Sequence, residues 1–570
     1  MSQWQSAAPL GTPTSSSPQS KGQEIMEYHG GTNSMTILSE VLGRAPPKRL
    51  VRIVLRDPGS DPRHQLESTG LDDADIEYLQ RKGALDLPPP HLCDEFLRLY
   101  FQFVYIYAPV IDRIQFLRDY RNGTVSKFLF YSILASVTPY APTNLIRDIG
   151  FENYQSAQKT FIDRARLLYD VGVEKNQLHQ LQGSLVLSHL YVSLYTEKDY
   201  RYWLSNAVRI ATKMGLHKEE VGKNAGLPLR KLLRRVWWVL YNRDALLVFN
   251  GLDNLRRIHD TDFDTLELTL EDWDNGTIPE EFEDILQPVT KLHKSFLVAS
   301  CQLSLITSQV MQTMTRTPVW SETTWDELEK KILRWQKDIP PELHCSANHE
   351  WGVDNFWVLV LEARIHVFKC MVYRTARDAF KSRNLDISHR ATQKLHHAML
   401  ELDTIIDRIM VHGLVEYCPM FLYNCASTII ALHIERAIGQ AQDIQSKLLA
   451  SLRIQTDLEF LRKLSRSWYP INWAVQMFEV VIQRTGLSVA IAGEQAFQCG
   501  TQDPFNCNDG GDPGHTADFN GDSYLSSAGL WNLDLGIDIP FPGFERSVGL
   551  MNGENMFPDF LSRDQWNIPM

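Results

Sequence analysis

A chain of 570 residues, 44% apolar and 22% charged, has room for roughly two to four domains and enough hydrophobic area for a large core. Its net charge of −12 is unevenly placed: from Cys499 onward eleven Asp/Glu stand against two Arg, leaving a body that is nearly neutral. A neutral body gives no general electrostatic attraction to nucleic acid. The eight cysteines (Cys93, Cys301, Cys345, Cys370, Cys418, Cys425, Cys499 and Cys507) are scattered, which suits free thiols in a reducing compartment.

Residues 1–45 are rich in Ser, Pro, Gly and Thr. They lack the basic start and apolar run of a secretory signal, and their composition predicts disorder. Residues 46–90 read as a connector. Within it Lys48–Arg56 fits either a short strand or a helix, and the stretch around Asp72, Asp73 and Asp75 reads as a polar loop. After Pro88-Pro89-Pro90 the period changes. From residue 91 to 492 apolar residues recur near every 3.6 positions, as in Phe96, Leu99, Tyr100 and Phe103, which predicts an all-α body of many helices. The longest apolar run, Cys418–Ile434, is broken by Asn424, Ser427, Thr428 and His433. It is shorter than the about 20 apolar residues of a membrane span. Residues 493–570 lose the period and gain Gly, Asn, Asp and Pro, which predicts a disordered acidic tail.

The stretch from Arg201 to Trp273 carries the most information. Trp203, Ala207, Ile210 and Met214 form one helical stripe; Gly215 and then Leu216 follow it, the form of a C-cap in which Gly takes the left-handed conformation. Pro228 suits the first turn of a second helix, whose stripe is Leu229, Leu232, Val236 and Leu240. Asp244 falls on that stripe and needs a counter-charge, for which Arg243 or a helical neighbour is the candidate. Trp203, Trp237, Trp238 and Tyr241 read as core, and Arg234 and Arg235 as a solvated or ion-paired face. Asp260, Asp262 and Asp264 alternate too closely for an acid/base pair. They also lack the Gly and distal Glu of a calcium loop.

Taken in order, these pieces resemble a known family. The helix ending Met214-Gly215-Leu216-His217, the run Arg234-Arg235-Val236-Trp237-Trp238-Val239-Leu240-Tyr241 with Asp244, and the segment Ile258 to Asp264 are together similar to the middle homology region of fungal zinc-cluster transcription regulators. The Arg243-Asp244 pair resembles the branch holding the cutinase and fatty-acid-responsive regulators. Two positions depart from the pattern: Gly251-Leu252-Asp253 stands where the family has Gly-Arg-Pro, and Ala245 replaces an Arg. The resemblance implies a helical regulatory domain, residence in the nucleus and partners in the transcription machinery. It also implies a small apolar effector held between helices, and no cofactor.

Members of that family carry a six-cysteine zinc cluster with a basic helix for the major groove. No cysteine precedes Cys93, so the expectation is a body of this family without its own DNA-binding motif. Enzyme signatures are also missing: there is no nucleophile elbow, no phosphate-binding loop with Lys, no His-Glu-x-x-His and no dinucleotide fingerprint. His217 and His259 stand alone. In the tail, Trp531, Leu533, Leu535, Ile537, Phe541 and Phe544 interleave with Asp534 and Asp538, the composition of an acidic-hydrophobic activation segment. Three readings stay open at this level. The first is a regulator or co-regulator of a metabolic or secondary-metabolite gene set, which meets DNA through a DNA-binding partner or as a homo- or heterodimer. The second is a zinc-cluster activator whose first exon lies outside this sequence. The third is a helical enzyme or small-molecule carrier.

Overall fold

The computed structural model describes residues 23–28, 50–55, 71–190, 197–223, 226–273, 277–316, 321–344, 351–439 and 444–487. All of these lie in one compact unit, residues 1–507; a second unit, 508–570, falls outside the described residues, and with it the six hydrophobic positions of the tail. Among the described residues the fold is all-α apart from one hairpin. Strand β1 (Gln23–Tyr28) pairs antiparallel with β2 (Leu50–Leu55), with Gln23 opposite Leu55 and Tyr28 opposite Leu50. β2 settles the reading of Lys48–Arg56 as strand. β1 lies in a segment whose composition predicts disorder. It is fixed by the ladder to β2 and by Tyr28, whose ring meets His217 edge-on with centroids 4.9 Å apart.

The supposed polar loop at Asp72 begins a helix. The Asp72 carboxylate accepts the Asp75 N–H at 2.8 Å and caps α1 (Asp73–Arg81), which buries Leu79. Helix α2 (Pro90–Leu99) starts on the last Pro of the triplet, where the missing N–H costs nothing, and continues through a π turn (Tyr100–Val104) to Tyr107. Helix α3 (Arg113–Arg121) is capped by Asp112, α4 (Lys127–Val137) by Ser126, α6 (Tyr154–Asp170) by Asn153 and α7 (Gln177–Leu187) by Asn176; the short α5 (Thr143–Asp148) follows Pro142. Every residue of α4 after Lys127 is buried, because α6 and α7 pack on it.

Helix α8 (Tyr200–Lys213) lies on α7 and leads to the short α9 (Glu219–Lys223) and the long α10 (Leu227–Phe249). Beyond it come α11 (Lys291–Arg316), α12 (Glu322–Lys337), α13 (Phe356–Phe380), α14 (Leu385–Val411), α15 (Phe421–Gly439), α16 (Ile444–Ser465) and α17 (Ile471–Arg484). α10 packs on α11, α11 on α13, and α13 on both α14 and α15. α10 buries residues on more than one face, among them Arg235, Asn242, Arg243 and Asp244 beside Val236 and Trp237. Among the described residues no helix is long and apolar enough to cross a membrane. Cys93, Cys301, Cys370, Cys418 and Cys425 are buried free thiols.

Candidate functional site

The sequence-marked residues assemble around α10. α8 ends as its residues predict: Gly215 has φ +80°, its N–H reaches Thr212 O, and Leu216 N reaches back to Ala211 O at 2.9 Å. A Cβ on Gly215 would stand 2.8 Å from Val221 Cγ2 and 3.0 Å from Tyr28 Cβ, so conformation and space both require Gly. Trp203 is buried against Tyr169, centroids 5.3 Å apart. The His217 ring sits between Tyr28 and Trp237. Burial, and then the Lys218 charge, hold it below the ordinary histidine value. His259 is exposed. Gly251, with φ +68°, closes α10 in the same way as Gly215 closes α8.

One face of α10 holds the acidic segment as an antiparallel strap. Arg234 Nη1 donates to Asp272 Oδ1 and Arg234 Nη2 to Glu219 Oε1, both at 2.9 Å. Trp238 Nε1 donates to Leu266 O at 2.7 Å and Tyr241 Oη to Asp260 Oδ1 at 2.6 Å. Asp244, fully buried, accepts from Arg256 Nε at 2.8 Å and from the Arg257 and Ile258 N–H groups at 3.1 Å. Helix numbers rise by three or four while strap numbers fall from 272 to 256, because one helical stripe reads an extended chain running the other way. Phe263 seals the middle, its ring within 5.4–5.8 Å of Trp237, Trp238 and Tyr241. Asp264 accepts the Glu219 N–H at 2.9 Å and gives its own N–H to His217 O. Asp262 accepts from Thr261, and its carbonyl oxygen accepts from Lys218 Nζ.

Two sequence expectations need correction here. The counter-charges of Asp244 are Arg256 and Arg257, twelve and thirteen residues on; Arg243 points away and gives Nε and Nη2 to Ser188 O. Arg235 is no solvated face. It is buried, with Nε on Pro109 O and Nη1 on Asp272 O, so it ties α10 to the chain after α2. The three aspartates serve separate contacts: Asp260 with Tyr241 and Ser308, Asp262 with Thr261, and Asp264 with the Glu219 N–H.

The other face of α10 borders a cavity of about 70 Å³ among α10, α11, α13 and α15. Its apolar wall includes Tyr107, Trp357, Phe421 and Trp468; its polar wall holds Asn242, Arg243 and Arg364. Arg364 is 6% exposed, and its guanidinium lies over the Phe421 ring with its carbon 5.6 Å from the centroid. Nη2 donates to Asn242 Oδ1 at 3.0 Å and, at 3.4 Å, to Ser304 Oγ; Nε is buried with no partner. No carboxylate among the described residues pairs with Arg364, and burial pulls its pKa down to about 10, which still leaves it charged at neutral pH. His189, also on this cavity, is pushed down to about 3 by burial and then by Arg243, and its Nδ1 donates to Leu185 O. It is therefore neutral. Sequence reasoning missed Arg364. The available signal was a cation at helical spacing from Trp357, Leu361 and Phe368, on a buried stripe.

A larger groove of about 300 Å³ runs between α3, α4, α7 and the start of α10, but its polar groups are already engaged. Asp112 caps α3, Asp119 accepts from Gln115 Nε2, and Gln182 donates to Val110 O. Farther off, Asp403, His433 and Asp457 meet in the core between α14, α15 and α16, with ligand atoms within 4.8 Å of one another. His433 Nε2 is 3.0 Å from Asp403 Oδ1, and burial followed by the neighbouring Asp403 and Asp407 raises the Asp457 pKa well above the usual range. Arg453 lies 3.8 Å from Asp403 and 2.7 Å from Asp407, and Asp457 Oδ2 is buried without a hydrogen-bond partner among the described residues.

Residues 97–333, which hold the strap and α10, match the fungal specific transcription factor domain. That stretch of the chain is thus a fungal specific transcription factor domain. It is similar to the fusaric acid cluster transcription factor of Gibberella fujikuroi, 30% identical over 73% of this chain and 62% of that protein. It is also similar to the cutinase transcription factor 1 beta of Fusarium vanettenii, 32% identical over 36% of this chain and 24% of that protein. The acetamidase regulatory protein of Aspergillus fumigatus is 25% identical over 50% of this chain and 35% of its own length. The chain thus spans about three-fifths of the length of the fusaric acid cluster factor, and less of the other two.

Proposed function

We propose that this protein regulates transcription of a set of metabolic genes in the nucleus, with the helical body as the regulatory part. The observation that carries this reading is the match of residues 97–333 to the fungal specific transcription factor domain, joined to relatives whose names tie them to fusaric acid, cutinase and acetamidase genes. The geometry supports a binding role over a chemical one. The family motif serves capping and strapping, and its carboxylates Asp244, Asp260 and Asp264 are held in hydrogen bonds. The acidic-hydrophobic segment from Trp531 to Phe544 supplies the contact with the transcription machinery, and a DNA-binding partner or a second copy brings the body to its genes. The test is transcript profiling after deletion of the gene. A confined group of metabolic transcripts should fall or rise, and their return on complementation completes the case. An unchanged transcript profile under conditions where the protein is expressed overturns the proposal.

A further inference from the structure

The cavity under α10 sets an unusual electrostatic problem. A buried guanidinium is ordinarily matched by a carboxylate, because a desolvated charge is unfavourable until an opposite charge or a full set of acceptors replaces water. Arg364 has neither. Only Nη2 of its three nitrogens is hydrogen-bonded among the described residues, and both its acceptors, Asn242 and Ser304, are neutral. The strap a helix-width away shows that this chain does match its buried charges elsewhere, as with Asp244 and two arginines.

Arg364 lines a cavity that is partly open to the surface, while its Nε is buried without a partner among the described residues. The volume of about 70 Å³ is several times the ~10–15 Å³ that one water requires. Rings of Tyr107, Trp357, Phe421 and Trp468 line it, a wall suited to a flat or short apolar group. Neutral His189 adds no charge, and Asn242 and Asn424 add amide groups. A planar fork with open donors, set in an aromatic wall, matches a carboxylate attached to an apolar body. Phosphate fits less well, since a dianion sheds water only onto many donors.

We propose that this cavity is an effector site for a small organic carboxylate with an apolar body, seated against Arg364 and the surrounding aromatic rings. The ligand supplies the counter-charge that the described residues do not. The site joins α10, the helix that carries the strap, to α11, α13 and α15. Occupancy would therefore change how those helices are held together, and an effector acts only by such a difference between two conformations. As an effector site this rests on the regulatory reading; as a binding site it is measured without it.

The experiment uses the purified full-length chain at constant ionic strength, with benzoate as the probe and benzamide as its neutral isostere, followed by thermal unfolding and calorimetric titration. Benzoate should bind one to one and raise the unfolding midpoint saturably, with at least tenfold higher affinity than benzamide. Arg364→Met should erase that preference. Arg364→Lys, which keeps the charge but loses the fork, should weaken benzoate at least tenfold and serves if the Met variant does not fold. Equal binding of benzoate and benzamide, no binding of either, or a preference for benzoate that survives both substitutions overturns the proposal. Any of these would leave the transcript-profiling result untouched, so failure of the site and failure of the regulatory reading are told apart.

Discussion

Along one face of α10, Arg234 meets Asp272 and Glu219, Tyr241 meets Asp260, and Asp244 meets Arg256 and Arg257. Along the other, Asn242 turns toward Arg364, a buried cation with no acid beside it among the described residues. The same helix thus closes one set of charges and leaves another open. A closed set holds structure; removing one member strands the rest. An open charge beside a cavity is poised for something from outside. Arg234, Trp238, Tyr241 and Asp244 of the family motif lie on the closed face, which is why they identify the fold and supply no chemistry.

That contrast is broken or sharpened by substitutions on each side. The largest loss should come from Asp244→Ala, which strands two arginines and two N–H groups: about 3–5 kcal/mol of unfolding free energy, read by urea denaturation. A loss below about 1 kcal/mol would mean that the strap is ornamental. Next is the acid response of the cavity. The folded-state pKa of His189 is about 3, below the ordinary histidine value, so as pH falls below about 6.5 the unfolded chain takes up the proton first. The stability due to this group is present above that value and is lost toward pH 3, at up to about 1.4 kcal/mol per pH unit. A His189→Gln variant lacks this loss, so its stability relative to wild type should improve between pH 7 and pH 5. Parallel curves would contradict it. Tyr241→Phe should lose about 1–2 kcal/mol, because the Asp260 carboxylate keeps only its Ser308 and Gln312 contacts. The smallest change is expected from Arg364→Met. It removes an unmatched charge while Ser304 still satisfies Asn242, and should leave stability within about 1 kcal/mol of wild type or raise it.

Much of the scaffold was legible in the sequence, and the reasons are local. Period and punctuation place α8 and its Gly215 cap and Pro228 at the start of α10, and the sustained period marks the later part of the body as helical. Three features were not legible because they depend on distant partners. Asp244 was assigned a counter-charge by helical spacing, but the arginines that pair with it lie in a chain that has turned back along the helix. Arg235 looks like surface beside Arg234, and only the backbone carbonyls at Pro109 and Asp272 reveal it as buried. The hairpin at Gln23–Tyr28 sits in a segment of disordered composition and is held by a strand about 25 residues on and by the His217 ring. Arg364 is the most instructive case. Its apolar neighbours hid it within an ordinary buried helix, although a lone cation on such a stripe is itself a signal.

The division of α10 into a closed and an open face is tested most directly by urea unfolding of wild type, Asp244→Ala and Arg364→Met side by side at pH 7 without added ligand. The expected result is a loss of about 3 kcal/mol or more for Asp244→Ala and a change of no more than about 1 kcal/mol, or a gain, for Arg364→Met. A loss for Arg364→Met equal to that for Asp244→Ala would show that Arg364 is matched within the fold, and would contradict the account.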